Sequence, residues 1–265
     1  MQVPNYEGYG LYATLAKVKI TPVPWYFDPD RFLQELDAVL KKAKPTLIVV
    51  TSPNGWTGAA ITAETMRDIA KASYEHGHLL CIDQAYSAFG SESYTTLLTD
   101  FPNVIFIKSF SKSLGLAGFR VASVFCSPEV ASYLKKFKPA STFSRLSGDF
   151  LIYCLQHPQR FSTLRRACLE RRERLSNFVI RKCPTWTVHA SNANFLFVDT
   201  HDANVLSGLS RLLRARRIIV RFFADERLGT HFRMTVPGDH EMHAVMECLE
   251  LFGRFEYGRS AGFSE

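Results

Sequence analysis

Residues 109–120 read Ser-Phe-Ser-Lys-Ser-Leu-Gly-Leu-Ala-Gly-Phe-Arg and carry the strongest signal in the chain. Apolar, β-branched runs at 104–107 and 121–125 flank them, so the stretch joins two predicted strands. A lysine at the mouth of a buried strand can lose its charge by desolvation, and its amine can then act as a nucleophile and form a Schiff base. Hydroxyls and a guanidinium nearby suit a phosphate, because Arg120 can make bidentate contacts. The stretch therefore predicts a reactive lysine, Lys112, beside an anion site.

The order of Ser-x-Ser-Lys, a Gly-Leu-Ala-Gly turn and an arginine resembles the lysine segment of fold-type I pyridoxal phosphate (PLP) enzymes. Among class I/II aminotransferases it is similar to the branch that includes histidinol-phosphate aminotransferase and threonine-phosphate decarboxylase. The resemblance implies that PLP is the cofactor and that Lys112 is catalytic and holds it as a Schiff base. It also implies that Ser109, Ser111 and Arg120 bind the cofactor phosphate.

Upstream, the apolar run at 79–82 predicts a buried strand that ends in Asp83-Gln84-Ala85-Tyr86. This ending resembles the Asp-x-Ala-Tyr motif of the same family. The resemblance implies that the Asp83 carboxylate pairs with the pyridine nitrogen and keeps it protonated. It further implies that Ala85 packs on the cofactor ring and that Tyr86 donates to the phenolic oxygen.

Two further stretches resemble cofactor-binding segments of the family. Pro4-Asn5-Tyr6-Glu7-Gly8-Tyr9 is similar to a Pro-x-Tyr-x-x-Tyr stretch whose first tyrosine stacks on the pyridine, which implies that role for Tyr6. The loop at 51–58 resembles Pro-Asn-Asn-Pro-Thr-Gly, but Gly55 stands where the family has the asparagine that bonds the phenolic oxygen. Either Asn54 binds the cofactor through a shifted loop, or that hydrogen bond is missing; we favour its loss.

The last third carries two arginines at the ends of apolar runs. Strands are predicted at 193–198, 218–220 and 232–236, with a helix at 205–216. The segments that contain Arg221 and Arg233 resemble Ile-Val-Arg and Leu-Arg-Ile-Thr segments of the family. The resemblance implies substrate binding for both arginines, and for Arg233 a grip on the substrate α-carboxylate.

Helices alternate with apolar strands through the first half, which predicts an α/β fold with a three-layer, mostly parallel sheet. We predict a PLP-binding large domain over 1–160, incomplete because it lacks the longer N-terminal segment usual in the family. A smaller α+β C-terminal domain is predicted over 161–252, and a loose tail over 253–265. A short strand is also predicted at 18–20, and a long helix over 159–180 is expected to join the two domains.

Composition restricts the function classes. The 265-residue chain has a formal net charge of +7, but no aromatic and basic pattern typical of nucleic-acid modules. No apolar run approaches the ~18 residues of a membrane span, and no signal peptide is recognisable, so we expect a soluble, cytoplasmic protein. The six cysteines are scattered and the nearby histidine pairs (76/78 and 240/243) lack supporting ligands, so no metal site is expected.

Three functions remain open on the sequence. The first is PLP-dependent transamination of an amino acid or amino-acid phosphate with a 2-oxo acid. The second is a lyase or decarboxylase reaction on the same scaffold, and the third is a degenerate, non-catalytic relative. The resemblance also implies a homodimer with its sites at the interface.

Overall fold

The computed structural model of the chain describes residues 1–25, 28–137 and 144–257. The strands are β1 (Gln2–Val3), β2 (Val23–Pro24), β3 (Leu47–Thr51), β4 (Leu79–Asp83), β5 (Val104–Ser109), β6 (Ala122–Phe125), β7 (Thr187–His189), β8 (Phe195–Asp199), β9 (Arg221–Phe222) and β10 (His231–Thr235). The helices are α1 (Glu7–Leu15), α2 (Pro29–Leu40), α3 (Ala63–Glu75), α4 (Leu97–Asp100), α5 (Phe110–Ser113), α6 (Pro128–Lys135), α7 (Arg145–Gln156), α8 (Pro158–Lys182), α9 (Ala203–Ala215) and α10 (Asp239–Tyr257). None of these helices is both long and apolar enough to span a membrane.

The larger sheet has the strand order β3-β4-β5-β6. Strands β3, β4 and β5 run parallel, and β6 pairs antiparallel with β5. The parallel register places Thr51 beside Asp83 and Asp83 beside Ile107. The carboxyl ends of the three parallel strands therefore meet at one edge of the sheet, where ligands bind in folds of this kind.

Helices cover both faces of this sheet. On one face, α2 and α3 bury apolar side chains such as Phe32 and Ile69 against Val50 and Ile82. The opposite face is thinner, and there Tyr9 of α1 and Val130 of α6 pack beside buried strand residues. This arrangement confirms the predicted α/β fold with a mostly parallel, three-layer large domain.

The second sheet is antiparallel and has the order β7-β8-β10-β9. Alternate residues of β8, Leu196 and Val198, join the apolar cluster formed with α8, α9 and α10. The other face of β8 carries Phe195 and Phe197, which pack with Tyr86 of the large domain. This α+β unit matches the predicted smaller domain in kind, and the predicted boundary at residue 160 falls inside α8.

Two predicted strands are wrong for the same physical reason. Residues 18–20 and 218–220 are not strands; β2 begins at Val23 and β9 at Arg221. Each predicted strand comes shortly after a helix, α1 or α9. The residue directly before the predicted strand, Lys17 or Arg217, has a positive φ. The next backbone N–H then turns back to the helix: Val18 N donates to Ala13 O and Ile218 N to Leu213 O, both at 2.8 Å. That N–H serves as a helix C-cap and is not available to a strand.

The C-terminal end also differs from the prediction. Helix α10 continues to Tyr257, past the predicted start of the loose tail at Gly253. It continues because Phe252 is buried against the small domain, with its ring centroid 5.9 Å from that of Trp186. Residues 258–265 of the predicted tail lie outside the described residues.

Candidate active site

A cavity of about 380 Å³ lies at the carboxyl ends of β4 and β5, between the large sheet and the small domain. Every predicted site residue except Asn54 lines it. Those lining residues are Tyr6, Asp83, Ala85, Tyr86, Ser109, Ser111, Lys112, Arg120, Arg221 and Arg233. Side chains that are distant along the chain therefore converge in one place, as the sequence predicts.

Asp83 forms the floor of the cavity at the end of β4. Its Oδ2 accepts a 2.7 Å hydrogen bond from Tyr9 Oη, and its Oδ1 accepts a 2.9 Å bond from Ala85 N. Burial raises the pKa of Asp83, and these two hydrogen bonds lower it in part. Among the described residues no basic side chain forms a salt bridge with this carboxylate. A buried carboxylate without a cation is suited to a positively charged ligand group.

Tyr9 is a site residue that the sequence reasoning missed. It lies on α1 one turn after Tyr6 and packs against the sheet face beneath Asp83. Burial and the neighbouring Asp83 both raise the pKa of its phenol, so the group remains a hydrogen-bond donor. The sequence did contain a signal. Tyr9 is the second tyrosine of the 4–9 stretch, and its spacing of three residues places it near Tyr6.

Lys112 occupies the short helix α5 that follows β5. Ser109 caps this helix, since its Oγ accepts from Ser111 N at 3.2 Å. The ammonium nitrogen of Lys112 lies 5.9 Å from the ring centroid of Tyr86. Although much of its surface is open, loss of water lowers the pKa of Lys112, and the positive charge of Arg233 lowers it further. Both effects favour the neutral amine.

The predicted phosphate ligands lie around the same turn. Ser109 and Ser111 line the cavity beside Lys112, and Arg120 approaches from the following turn. Arg120 adopts a left-handed backbone conformation with φ of 55°, and its Nη1 donates to Ala117 O at 3.2 Å. Its remaining guanidinium donors are open to the cavity side, so the three side chains can surround an anion.

Tyr6 borders the opposite side of the cavity. It precedes α1, its backbone N–H donates to Asn5 Oδ1 at 2.7 Å, and its ring meets the ring of Tyr9 edge-on. A Cβ at Gly8 would overlap the Tyr6 ring, so a larger residue there would displace the ring from this position. With 59% of its surface exposed, the Tyr6 ring is free to contact a bound ring.

Asn54 is the one predicted cofactor-binding residue that does not line the cavity. Asn54 is fully buried, and its Oδ1 accepts from Trp56 N and Thr57 N at 2.9 and 3.1 Å. Its Nδ2 donates to Pro4 O at 2.8 Å. These three bonds hold the loop and attach it to the N-terminal segment, so the Asn54 amide does not face the cavity. The geometry favours the second alternative, in which the cofactor lacks this hydrogen bond.

The two arginines of the small domain approach the cavity from β9 and β10, where they lie opposite each other. Arg233 stacks over Phe195 at 4.8 Å and donates through Nη1 to the Gly55 carbonyl. Its Nε is buried and has no hydrogen-bond partner among the described residues. Arg221 forms a salt bridge with Glu7. Because Arg233 lines the cavity, its guanidinium can meet an anionic group bound there.

Comparison with known proteins identifies the class. The model of the aminotransferase class I and II family matches residues 1–249, so the chain belongs to this family. A histidinol-phosphate aminotransferase 2 from Archaeoglobus fulgidus is 29% identical over 251 residues, which cover 93% of this chain and 68% of that protein. The histidinol-phosphate aminotransferase of Thermococcus kodakarensis is also 29% identical, over 250 residues, with the same two coverages.

Solved structures share the fold. The histidinol-phosphate aminotransferase of Sinorhizobium meliloti, solved in complex with pyridoxal-5'-phosphate, superposes with a TM-score of 0.85 at 23% identity. The match covers 96% of this chain and 70% of that one. The L-threonine-O-3-phosphate decarboxylase of Porphyromonas gingivalis gives a TM-score of 0.74 at 16% identity, with coverages of 95% and 75%. This chain is shorter than these relatives, and the predicted resemblance is confirmed.

Pyridoxal phosphate is the cofactor of this family, and the residues of the cavity fit it. The buried Asp83 carboxylate suits a pyridinium N–H, and the hydroxyls of Ser109 and Ser111 with Arg120 suit a phosphate. Lys112, whose pKa is lowered, lines the same cavity. One observation departs from the family pattern, namely Gly55 in place of an asparagine.

Proposed function

We propose that this chain carries the active site of a PLP-dependent aminotransferase, which transfers an amino group between an amino acid or amino-acid phosphate and a 2-oxo acid. One observation carries the proposal: a buried carboxylate with no cationic partner among the described residues, a lysine with a lowered pKa and a half-buried arginine line one cavity of about 380 Å³. When bound, PLP supplies an electron sink for the electrons of the substrate α-carbon.

In this proposal Lys112 transfers the proton of the substrate α-carbon. A neutral amine accepts a proton from the substrate α-carbon, and the resulting ammonium returns a proton at the end of the reaction. Desolvation and the nearby charge of Arg233 both lower the pKa of Lys112 and so favour the neutral amine. Lys112 lines the same cavity as Asp83, Ser109, Ser111 and Arg120, which supports this role.

Asp83 and Tyr9 hold the proton on the ring nitrogen. An ionised Asp83 Oδ accepts the pyridinium N–H, and the Tyr9 hydroxyl keeps the carboxylate oriented and partly compensates for its burial. Tyr6 and Tyr86 line the same cavity. Tyr6 would supply an aromatic face for the cofactor ring, and the Tyr86 hydroxyl would donate to its phenolic oxygen.

Arg233 binds and orients the substrate carboxylate. It is partly buried between Phe195 and the 55–56 loop, where a charge-assisted hydrogen bond is stronger than in water. Arg221 lies one strand away and is paired with Glu7, so an anionic substrate side chain must compete with that salt bridge. This arrangement favours substrates that carry two separated anionic groups.

The test is a product assay on the purified chain with PLP, amino donors and a 2-oxo acid. We expect a new amino acid and a new 2-oxo acid in equal amounts, with losses of about 100-fold or more in Lys112→Ala and Asp83→Asn. Lys108→Ala, an exposed lysine in the same segment, is the matched control and should retain activity. Release of CO₂ or ammonia without amino transfer would instead establish a decarboxylase or lyase, and no product in any arm would contradict catalysis.

A further inference from the structure

A second cluster of titratable side chains lies in the small domain, outside the cavity. His189 is on β7, Asp199 on β8 and His231 on β10, and each offers one nitrogen or oxygen atom within 4.8 Å of the others. His231 is buried, and the other two are half-buried. The proposed transamination uses none of the three.

The strand register brings these residues together. Strand β8 lies between β7 and β10, and Asp199 is directly opposite His231. His189 is opposite Phe197, two residues before Asp199 and therefore on the same face of the sheet. The three side chains are separated by 10 and 32 positions in sequence, which is why no motif spacing revealed them.

The surroundings orient the cluster. Asp199 Oδ1 accepts from His201 N at 2.8 Å, and Asp199 Oδ2 lies 3.0 Å from His201 Nδ1 and 3.5 Å from His231 Nε2. On the far side of the His231 ring, Nδ1 lies 3.3 Å from Thr230 Oγ1. In the tautomer whose Nδ1–H donates to this hydroxyl, Nε2 is left as the ligand atom, as is common for histidines that bind metals.

We propose that His189, Asp199 and His231 form a binding site for a divalent transition metal, best satisfied by Zn²⁺. Two imidazoles and one carboxylate are a familiar zinc ligand set, with the fourth position left to a water or to His201. Tetrahedral zinc with bonds of about 2.0–2.1 Å separates its ligand atoms by about 3.3 Å. The pair His231 Nε2 and Asp199 Oδ2 already lies at 3.5 Å, so the remaining adjustment falls on His189.

The donor atoms agree with this geometry. Two imidazole nitrogens and one carboxylate oxygen lie within 4.8 Å of one another. A metal binds them as neutral imidazoles and an ionised carboxylate. Since only one carboxylate is present, the site suits zinc better than Mg²⁺ or Ca²⁺, which prefer oxygen ligands.

A metal here would clamp β7, β8 and β10 together. The ring of Phe197 stacks on His231 at 4.9 Å and meets Phe223, which in turn packs on Trp56 at the cavity wall. His231 also lies two residues before Arg233 on β10. The metal would therefore stabilise the strand that presents Arg233, whatever reaction the cavity performs.

The test measures zinc binding to the full chain, independent of catalysis. After treatment with a chelator, the protein is titrated with ZnCl₂ against a chromogenic competitor, and the Co²⁺ form is examined by visible absorption. The cluster variants are His189→Gln and His231→Gln. The matched control is His240→Gln/His243→Gln, which removes two exposed histidines from α10. Circular dichroism without metal verifies that each variant folds.

We expect one zinc per chain in the wild type and in the control, and affinity weakened by about 100-fold or more in each cluster variant. Zinc should raise the melting temperature of the wild type and the control only. The Co²⁺ form should lack the intense sulfur-to-metal band of cysteine ligation. Failure to bind zinc at micromolar concentration, equal binding in the cluster variants, or a cysteine band would each overturn the proposal; the cluster would then be a hydrogen-bond network alone.

Discussion

The candidate site depends on a few residues whose charge is set by their surroundings. Asp83 is ionisable, buried and without a basic partner among the described residues, and Tyr9 is its main side-chain partner. Lys112 has a lowered pKa for the related reason that water is partly excluded and Arg233 is near. A substitution of one partner should therefore shift the pKa of the other, and a pH profile should show that shift.

Removal of the Tyr9 hydroxyl should shift the acid limb of the activity profile. Burial raises the pKa of Asp83 and the Tyr9 bond lowers it, so Tyr9→Phe raises that pKa further. Because the ionised carboxylate is the active form, turnover in the variant should begin to fall at a higher pH than in the wild type. The measurement is kcat against pH, with the exposed Tyr12→Phe as control; an unmoved acid limb would show that Asp83 does not govern the profile.

Arg233 should control the reactivity of Lys112. Its positive charge lowers the pKa of Lys112, so Arg233→Gln should raise that pKa and shift amine labelling to higher pH. The rate of labelling by an amine-directed reagent, followed by peptide mapping against pH, measures this directly. Arg221→Gln is the control, because that guanidinium is already paired with Glu7. Identical profiles in all three proteins would contradict the assigned cause.

At the residue scale, eleven site residues were assigned from the sequence, and ten of them line the cavity. The sequence could place them because the motif residues follow strands that end at one edge of the sheet. Asn54 could not be placed from sequence, since whether its amide faces a ligand or its own loop depends on the loop conformation. Tyr9 and the histidine cluster were missed because their partners come from other elements.

Elements with strong local signals were predicted well. The long helix predicted over 159–180 is observed as α8, Pro158–Lys182. Short apolar runs were less informative: 18–20 and 218–220 look like strands, but a preceding positive-φ residue turns their first N–H back to a helix. Local hydrophobicity does not reveal such a competing hydrogen bond.

The loop at 51–58 offers a test at the level of elements. Gly58 has φ of 76°, and a Cβ there would lie 2.5 Å from Ser191 Oγ and 3.2 Å from Phe195 Cε2. Gly77 has φ of 72°, and a Cβ there would meet nothing within 4 Å. Gly77→Ala should cost about 1 kcal/mol from backbone strain alone, and Gly58→Ala should cost more because it also crowds the small domain. Denaturant unfolding compares them; equal losses would refute the packing argument.

At the scale of the whole molecule, the sequence predicted the two kinds of sheet but not how they meet. The contact is an aromatic cluster of Tyr86, Phe195 and Phe197, with Trp56 and Phe223 beside it. The residues of the two domains lie more than 100 positions apart in the sequence, so no local pattern predicts their packing. Their contact closes the cavity between the large and small domains.

The outer surface predicts self-association. Large apolar side chains are exposed on β6 and α7, among them Val124 at 51%, Phe125 at 46% and Ile152 at 55%. Exposed apolar surface of this kind favours contact between chains. We therefore expect the purified chain to sediment as a dimer or larger species at micromolar concentration, and Phe125→Ser to shift it toward monomer. A monodisperse monomer across the concentration range would contradict this expectation and the homodimer that the resemblance implies.

The central claim is that Lys112 carries the cofactor in the cavity bounded by Asp83 and Arg233. Borohydride reduction of the chain saturated with PLP, followed by peptide mapping, tests it most directly. We predict a single pyridoxyl group on Lys112, and no label in Lys112→Ala. Label on the neighbouring exposed Lys108, or on no lysine at saturating PLP, would contradict the account.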